Sequence, residues 1–266
     1  MNAPVEAGLA PYVLADSQDG VCTLTLNRGE RFNPLSRAMI AALEAEIDRV
    51  ARDDTVRVVV LAGTGKGFSA GHDLKELRAH PDLVWQRELF DACSRMMQKL
   101  TLLPQPVIAR VHGIATAAGC QLVSMCDLAV AADAARFALP GVNVGVFCST
   151  PAVGVVRNVA RKRTMEMLLT GEPIDAQTAL DWGLINQVVP ADELDAAVDG
   201  LIEAIARSSS YTVAIGKQAF YDQVDRAEHD AYEHTKVVMT ENALAADAQE
   251  GMTAFLEKRA PNWVGR

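Results

Sequence analysis

The sequence predicts an α/β core followed by a helical C-terminal extension. Three observations carry that expectation: a β-branched run from Val56 to Leu61, an alternation of strand-like and helix-like segments as far as Val189, and a mainly helical pattern from Ala191 onward. Strands that alternate with helices build α/β cores, and an apolar run of this kind suits a strand buried on both faces.

The elements follow in chain order. Cys22-Thr23-Leu24-Thr25-Leu26 alternates apolar and polar residues, as a half-buried strand does. Asn33-Pro34 reads as a helix cap followed by proline at the first helical position. Met39, Ile40, Leu43, Ile47 and Val50 then recur at helical spacing and form one apolar stripe. After the run ending at Ala62-Gly63, Pro106 to Val111 reads as a strand, Ala117 to Met125 as a short helix and Leu128 to Ala131 as another strand. Thr150-Pro151 and Asp175 mark later helix starts, Gly183 marks a helix stop before Leu184 to Val189, and Glu241 to Lys258 reads as the last helix. Residues 1–200 are therefore expected to form the core, and 201–266 a helical region suited to subunit contacts.

Half of the 266 residues are hydrophobic and 22% are charged, a globular balance, while the net charge of −9 argues against a nucleic-acid surface. The five cysteines are odd in number and include no C-x-x-C pair, so neither a disulfide framework nor a zinc site is expected. Such thiols fit a reducing compartment. The N-terminus, Met-Asn-Ala-Pro-Val-Glu-Ala, lacks a signal core or Arg-rich transit helix, and the uncharged stretch from Val111 to Cys126 is too short to span a membrane. These features together lead to the expectation of a cytoplasmic protein with no membrane partner.

Two glycine-containing loops follow strands and lead into helices. The first is Gly63-Thr64-Gly65-Lys66-Gly67-Phe68-Ser69-Ala70-Gly71-His72-Asp73-Leu74; the second is His112-Gly113-Ile114-Ala115-Thr116-Ala117-Ala118-Gly119-Cys120-Gln121-Leu122. Helix starts leave backbone N–H groups free, so each loop can aim one donor at a single oxygen. The first is not a Walker loop, because Lys66 is not followed by Ser or Thr.

The segment from Phe68 to Leu77 resembles the first signature of the enoyl-CoA hydratase/isomerase (crotonase) family, and Gly113 to Asp127 resembles its second. Thr170 to Ala176, Trp182 to Ile185 and Glu250 to Arg259 are similar as well, so the resemblance runs from about Val21 to the C-terminus. It implies a spiral of ββα repeats, a homotrimer or dimer of trimers, and an acyl-CoA thioester as ligand, in a lyase of fatty-acid-type metabolism. No cofactor or metal would be permanently bound; coenzyme A enters as part of the substrate. It also implies an oxyanion hole made by the backbone N–H groups of His72 and Ala118, the latter assignment open to a slip to Gly119. Ala70, Asp73, Leu74 and Lys75 would contact coenzyme A, joined by Phe255 and Lys258, often from a neighbouring subunit.

The resemblance breaks at the acid–base residues. Hydration of a 2-enoyl thioester by typical members uses two glutamates, and the matching positions here are Gln121 and Gly141. An amide can orient water but cannot take its proton. Restoring glutamate at both positions is therefore expected to raise hydratase activity. The carboxylate that dehalogenases, hydrolases and dihydroxynaphthoyl-CoA synthases place further on is replaced by Cys148-Ser149-Thr150. The first loop and Val142 to Val146 also resemble methylmalonyl-CoA decarboxylase, although Cys148 and Pro140 stand where that enzyme has tyrosine and threonine. Three functions follow as expectations: hydratase/isomerase-like enolate stabilisation, decarboxylation of a malonyl-type thioester, and acyl-CoA binding without catalysis. Asp127 is expected to serve structure, and Cys148 to be packing rather than a nucleophile.

Overall fold

A hairpin of β1 (Val13–Gln18) and β2 (Val21–Leu26) opens the chain and pairs antiparallel. The structure is a computed structural model that describes residues 10–266; the N-terminal segment read above for targeting signals lies outside the described residues. Helix α1 (Arg37–Val50) follows, and its predicted stripe of Met39, Ile40, Leu43, Ile47 and Val50 is buried. Its cap is Ser36, whose hydroxyl accepts from the Met39 N–H at 3.2 Å, and not Asn33. Asn33 instead sits in the left-handed region at φ +49° and turns its side chain into the interior. Asparagine tolerates that backbone better than most residues, which is why the Asn-Pro pair is a turn here.

The middle of the chain repeats one unit. In β3 (Val58–Gly63), β4 (Gly67–Ser69) and α2 (Leu74–Ala79), a long strand enters a large sheet, a short strand turns into a small sheet, and a helix closes the step. After α3 (Leu83–Leu102) the unit recurs as β5 (Val107–Val111), β6 (Ile114–Thr116) and α4 (Ala118–Ser124). It recurs again as β7 (Leu128–Ala132), β8 (Arg136–Ala138) and α5 (Ser149–Val155). This is the ββα spiral. Then come α6 (Arg161–Thr170), β9 (Ile174–Asp175), α7 (Ala176–Asp181), β10 (Gln187–Val189) and α8 (Leu194–Ala206). Asp175 caps α7 by accepting from Thr178 N–H, and Gly183 ends the turn after it at φ +83°.

The large sheet has the order β1-β2-β3-β5-β7-β10 and the small one β4-β6-β8-β9. On one face of the large sheet Leu24, Leu26, Val59, Leu61, Val107 and Ala109 join the stripes of α1 and α3. On the other, Val58, Val60, Ile108 and Val130 pack with Leu194 and Val198 of α8. Strand β3 is thus covered on both faces, the physical reason its sequence is apolar at consecutive positions.

Helices α9 (Ser210–Gln223), α10 (Glu228–Leu244) and α11 (Ala246–Glu257) complete the chain, so the expected single helix from Glu241 to Lys258 is two, parted at Ala245, whose ψ of 150° leaves the helical region. The buried residue of helix α9 is a lysine. Lys217 Nζ lies 2.7 Å from Asp127 Oδ2 and donates to the carbonyls of Leu100 and Gln105, both at 2.9 Å. Tyr221 donates to Asp127 Oδ1 at 2.9 Å, and Val107 N–H donates to Oδ2. Asp127 is structural, as expected. Among the described residues no helix is long and apolar enough to cross a membrane, and no group of three or more His, Cys, Asp or Glu could hold a metal.

Candidate active site

Strands β4 and β6 lie inside the two glycine-containing loops and pair in parallel, Gly67 opposite Ile114 and Ser69 beside Ala115. That pairing brings together stretches about forty-five residues apart. Two glycines allow the approach. At Gly71, φ is +83° and a Cβ would sit 2.9 Å from Thr116 O and 3.0 Å from Ala118 N. At Gly119 a Cβ would sit 2.2 Å from Ser69 O. No side chain fits either place. Ala117, between β6 and α4, is held at φ +49° and ψ −121°, a backbone that a residue with a Cβ adopts only under strain, as happens at functional sites.

Among the described residues neither the His72 N–H nor the Ala118 N–H has a hydrogen-bond partner. Both residues line one cavity of about 540 Å³. Its walls are mainly apolar, with Leu74, Leu77, Phe90, Val144, Val146 and Phe147, and among the described residues no Asp, Glu, Lys or Arg lines it. Two free N–H groups at the wall of a low-dielectric cavity can polarise a carbonyl oxygen and hold the negative charge that forms on it. Losing one such donor typically costs about 3–4 kcal/mol of transition-state stabilisation.

The His72 ring packs edge-on against Phe90 with centroids 5.2 Å apart, and its Nε2 has no partner. Burial pushes its pKa down to about 4, so the imidazole is neutral near pH 7. Cys148 lines the same cavity and its Sγ accepts from the Gly141 N–H at 3.3 Å; burial raises its pKa, the opposite of what a nucleophilic thiol needs.

Of the residues singled out from the sequence, Ala70, His72, Leu74, Ala118 and Gly141 meet at this cavity. Gln121 does not line it. Its side chain is 5% exposed within α4, and its Oε1 is unpartnered. Asp73 caps α2, accepting from Lys75 N–H at 3.0 Å, and forms an ion pair of 2.6 Å with Arg31. Lys75 is exposed on that helix, and neither Phe255, 83% exposed on α11, nor Lys258, the residue that caps the C-terminus of α11, lines the cavity. Gly141 is more constrained than its sequence position suggested. In the 3-10 turn from Pro140 to Val144 a Cβ would lie 2.1 Å from Val146 O and 2.8 Å from Cys148 Sγ. A glutamate at 141 has no room in this backbone, so the expectation that glutamates at 121 and 141 would raise hydration is corrected.

Sequence reasoning missed Asn33. Its two Nδ2 protons are shared among the carbonyls of Thr64, Gly67 and Phe68, each 2.9–3.0 Å away, and its Oδ1 accepts from Arg28 N–H at 2.8 Å. All three carbonyls lie more than thirty positions along the chain, beyond the reach of any local pattern.

A family model described as enoyl-CoA hydratase/isomerase matches residues 16–266. The chain is similar to the crystal structure of an enoyl-CoA hydratase from Mycobacterium smegmatis, at 50% identity and TM-score 0.94 over 96% of this chain and 99% of that one. It is similar to human enoyl-CoA hydratase domain-containing protein 3, at 45% identity and TM-score 0.92 over 95% and 100% of the two chains. The protein of that description from Xenopus laevis is 45% identical over 96% of this chain and 86% of its own length, and is named mitochondrial, as are those from rat, mouse, human and zebrafish. Those names overturn the expectation of a cytoplasmic protein. Free thiols report only on a reducing environment, which does not single out the cytoplasm.

Proposed function

The chain belongs to the enoyl-CoA hydratase/isomerase family, and on that premise we propose that it binds an acyl-CoA thioester and stabilises its enolate through the backbone N–H groups of His72 and Ala118. The observation that carries this reading is the pair of unpartnered N–H groups at one apolar cavity. Ala70, Asp73, Leu74 and Lys75 are the proposed contacts for coenzyme A on the first loop and α2. Phe255 and Lys258 would serve a neighbouring subunit's site in a trimer or dimer of trimers. Support for that assembly comes from Phe220, Tyr232, Met239, Leu244, Phe255 and Leu256, large apolar residues left exposed on α9, α10 and α11.

Among the described residues the cavity wall holds no carboxylate to activate water or to move a proton. A general acid or base contributes roughly 10²–10⁴ in rate, so hydration of crotonyl-CoA is expected to fall at least about 100-fold below the ordinary range of 1–10³ per second. The test pairs two measurements on the purified protein: equilibrium binding of saturated butyryl-CoA, and loss of enoyl-thioester absorbance with crotonyl-CoA. Binding with little hydration is the expected result. Absence of binding would overturn the thioester reading, and turnover in the ordinary range would show that other residues replace the acids. The carboxylate-free cavity also favours a second reading, decarboxylation of a malonyl-type thioester, because loss of CO₂ yields the same enolate without a general base. Carbon dioxide release from malonyl-CoA, without a carboxylate limb in its pH profile, is its signature.

A further inference from the structure

We propose that Asn33 is a positioning residue of the oxyanion site, acting through the strap of residues 32–35 to aim the His72 N–H. The inference rests on the thioester reading above. It starts from three links between strap and first loop. Ala70 N–H donates to Phe32 O at 2.8 Å, Leu35 N–H donates to Gly71 O at 2.8 Å, and Ser69 Oγ donates to Asn33 O at 2.9 Å. The third link extends further, because Gly71 N–H donates to Ser69 Oγ at 3.3 Å.

The Leu35–Gly71 bond decides the direction of the donor. A trans peptide is planar, with its C=O and N–H on opposite sides. Gly71 O is held by the strap, so the N–H of the same peptide, that of His72, points away from the strap. A Cβ on Gly71 would lie 3.0 Å from Ala118 N, so the second donor is a close neighbour of that peptide, and His72 and Ala118 both line the cavity. The strap holds that plane only if its own position is fixed, and Asn33 fixes it. The side chain is fully buried and its amide bonds four backbone groups, three of them carbonyls of the first loop between Thr64 and Phe68. Asn33 touches neither the cavity nor any reacting atom, and it sets where the first donor points.

The test reads the carbonyl itself. Butyryl-CoA carrying ¹³C at the thioester carbonyl is bound to the protein and its C=O stretch is compared with that of the free thioester, since two hydrogen bonds lower the frequency. Asn33→Gly is the informative variant, because glycine accepts the φ of +49° without strain and only the amide clamp is lost. The expected result is a folded protein with affinity for butyryl-CoA within threefold of the parent and a carbonyl shift reduced by more than half. Ser69→Ala, which cuts the link from Gly71 N–H to the strap, is expected to show the same split less strongly, and it decides the matter should Asn33→Gly fail to fold. A full carbonyl shift in either folded variant would overturn the proposal. So would affinity and shift lost in parallel, the mark of a merely structural role. A parent protein that binds without any shift would refute the two-donor reading itself, whatever the variants show.

Discussion

Around Asp127 the interior partners its ionised groups, whereas around His72 the cavity leaves polar atoms bare. Lys217 uses its three protons on one carboxylate oxygen and two carbonyls, and Asp127 receives Tyr221 and a backbone N–H besides. Burial pulls the Lys217 pKa below its ordinary value, with the Asp127 charge opposing. Among the described residues, Nε2 of the cavity-lining His72 and the backbone N–H groups of His72 and Ala118 have no partner, and neither has Gln121 Oε1, which is buried within α4 off the cavity wall. A buried polar group without a partner costs about 1–3 kcal/mol, so the second region carries a stability cost that a bound carbonyl can offset. The first region ties α9 to the core; the second is ready for a ligand. The difference teaches that burial of polar atoms alone does not mark a site. Unmet hydrogen-bonding capacity beside a cavity does.

The contrast can be broken at its strongest point. Lys217→Met strands the Asp127 carboxylate in the interior and is expected to cost about 3–5 kcal/mol in urea unfolding, while folded material still binds butyryl-CoA normally. A loss below about 1 kcal/mol would mean that this network does not hold α9.

The next effect is one of pH. His72 has its pKa lowered from 6.5 to about 4 in the folded chain. Between those values the unfolded chain takes up a proton that the native ring refuses, so stability falls as pH falls through that window and is recovered above it. The loss reaches about 3 kcal/mol at most. His72→Asn, which keeps the backbone N–H, should flatten the dependence measured by unfolding at pH 6.5 and pH 4.5. An unchanged slope would assign it to other groups.

The smallest effect sharpens the comparison most. Gln121→Met replaces an unpartnered amide by an apolar side chain of similar volume. It is expected to leave stability unchanged or raise it by up to about 1 kcal/mol, seen as an equal or higher Tm. A loss of more than 1 kcal/mol would place Gln121 with the satisfied region after all.

Sequence alone determined the elements whose cause is local. The alternation at Cys22–Leu26, the stripe of α1, the doubly buried β3 and the caps at Asp175 and Gly183 are set by consecutive residues, and they stand in the structure. The motifs of the two loops carried the family. Tertiary structure alone decided three things. Short β4 and β6 pair inside what read as loops. Asn33 clamps a loop more than thirty residues away instead of capping α1. Gly141 is held where no side chain fits. The physical reason is common to all three: backbone donors and close backbone approaches leave no side-chain pattern along the chain, and they come into being only when distant segments are packed together.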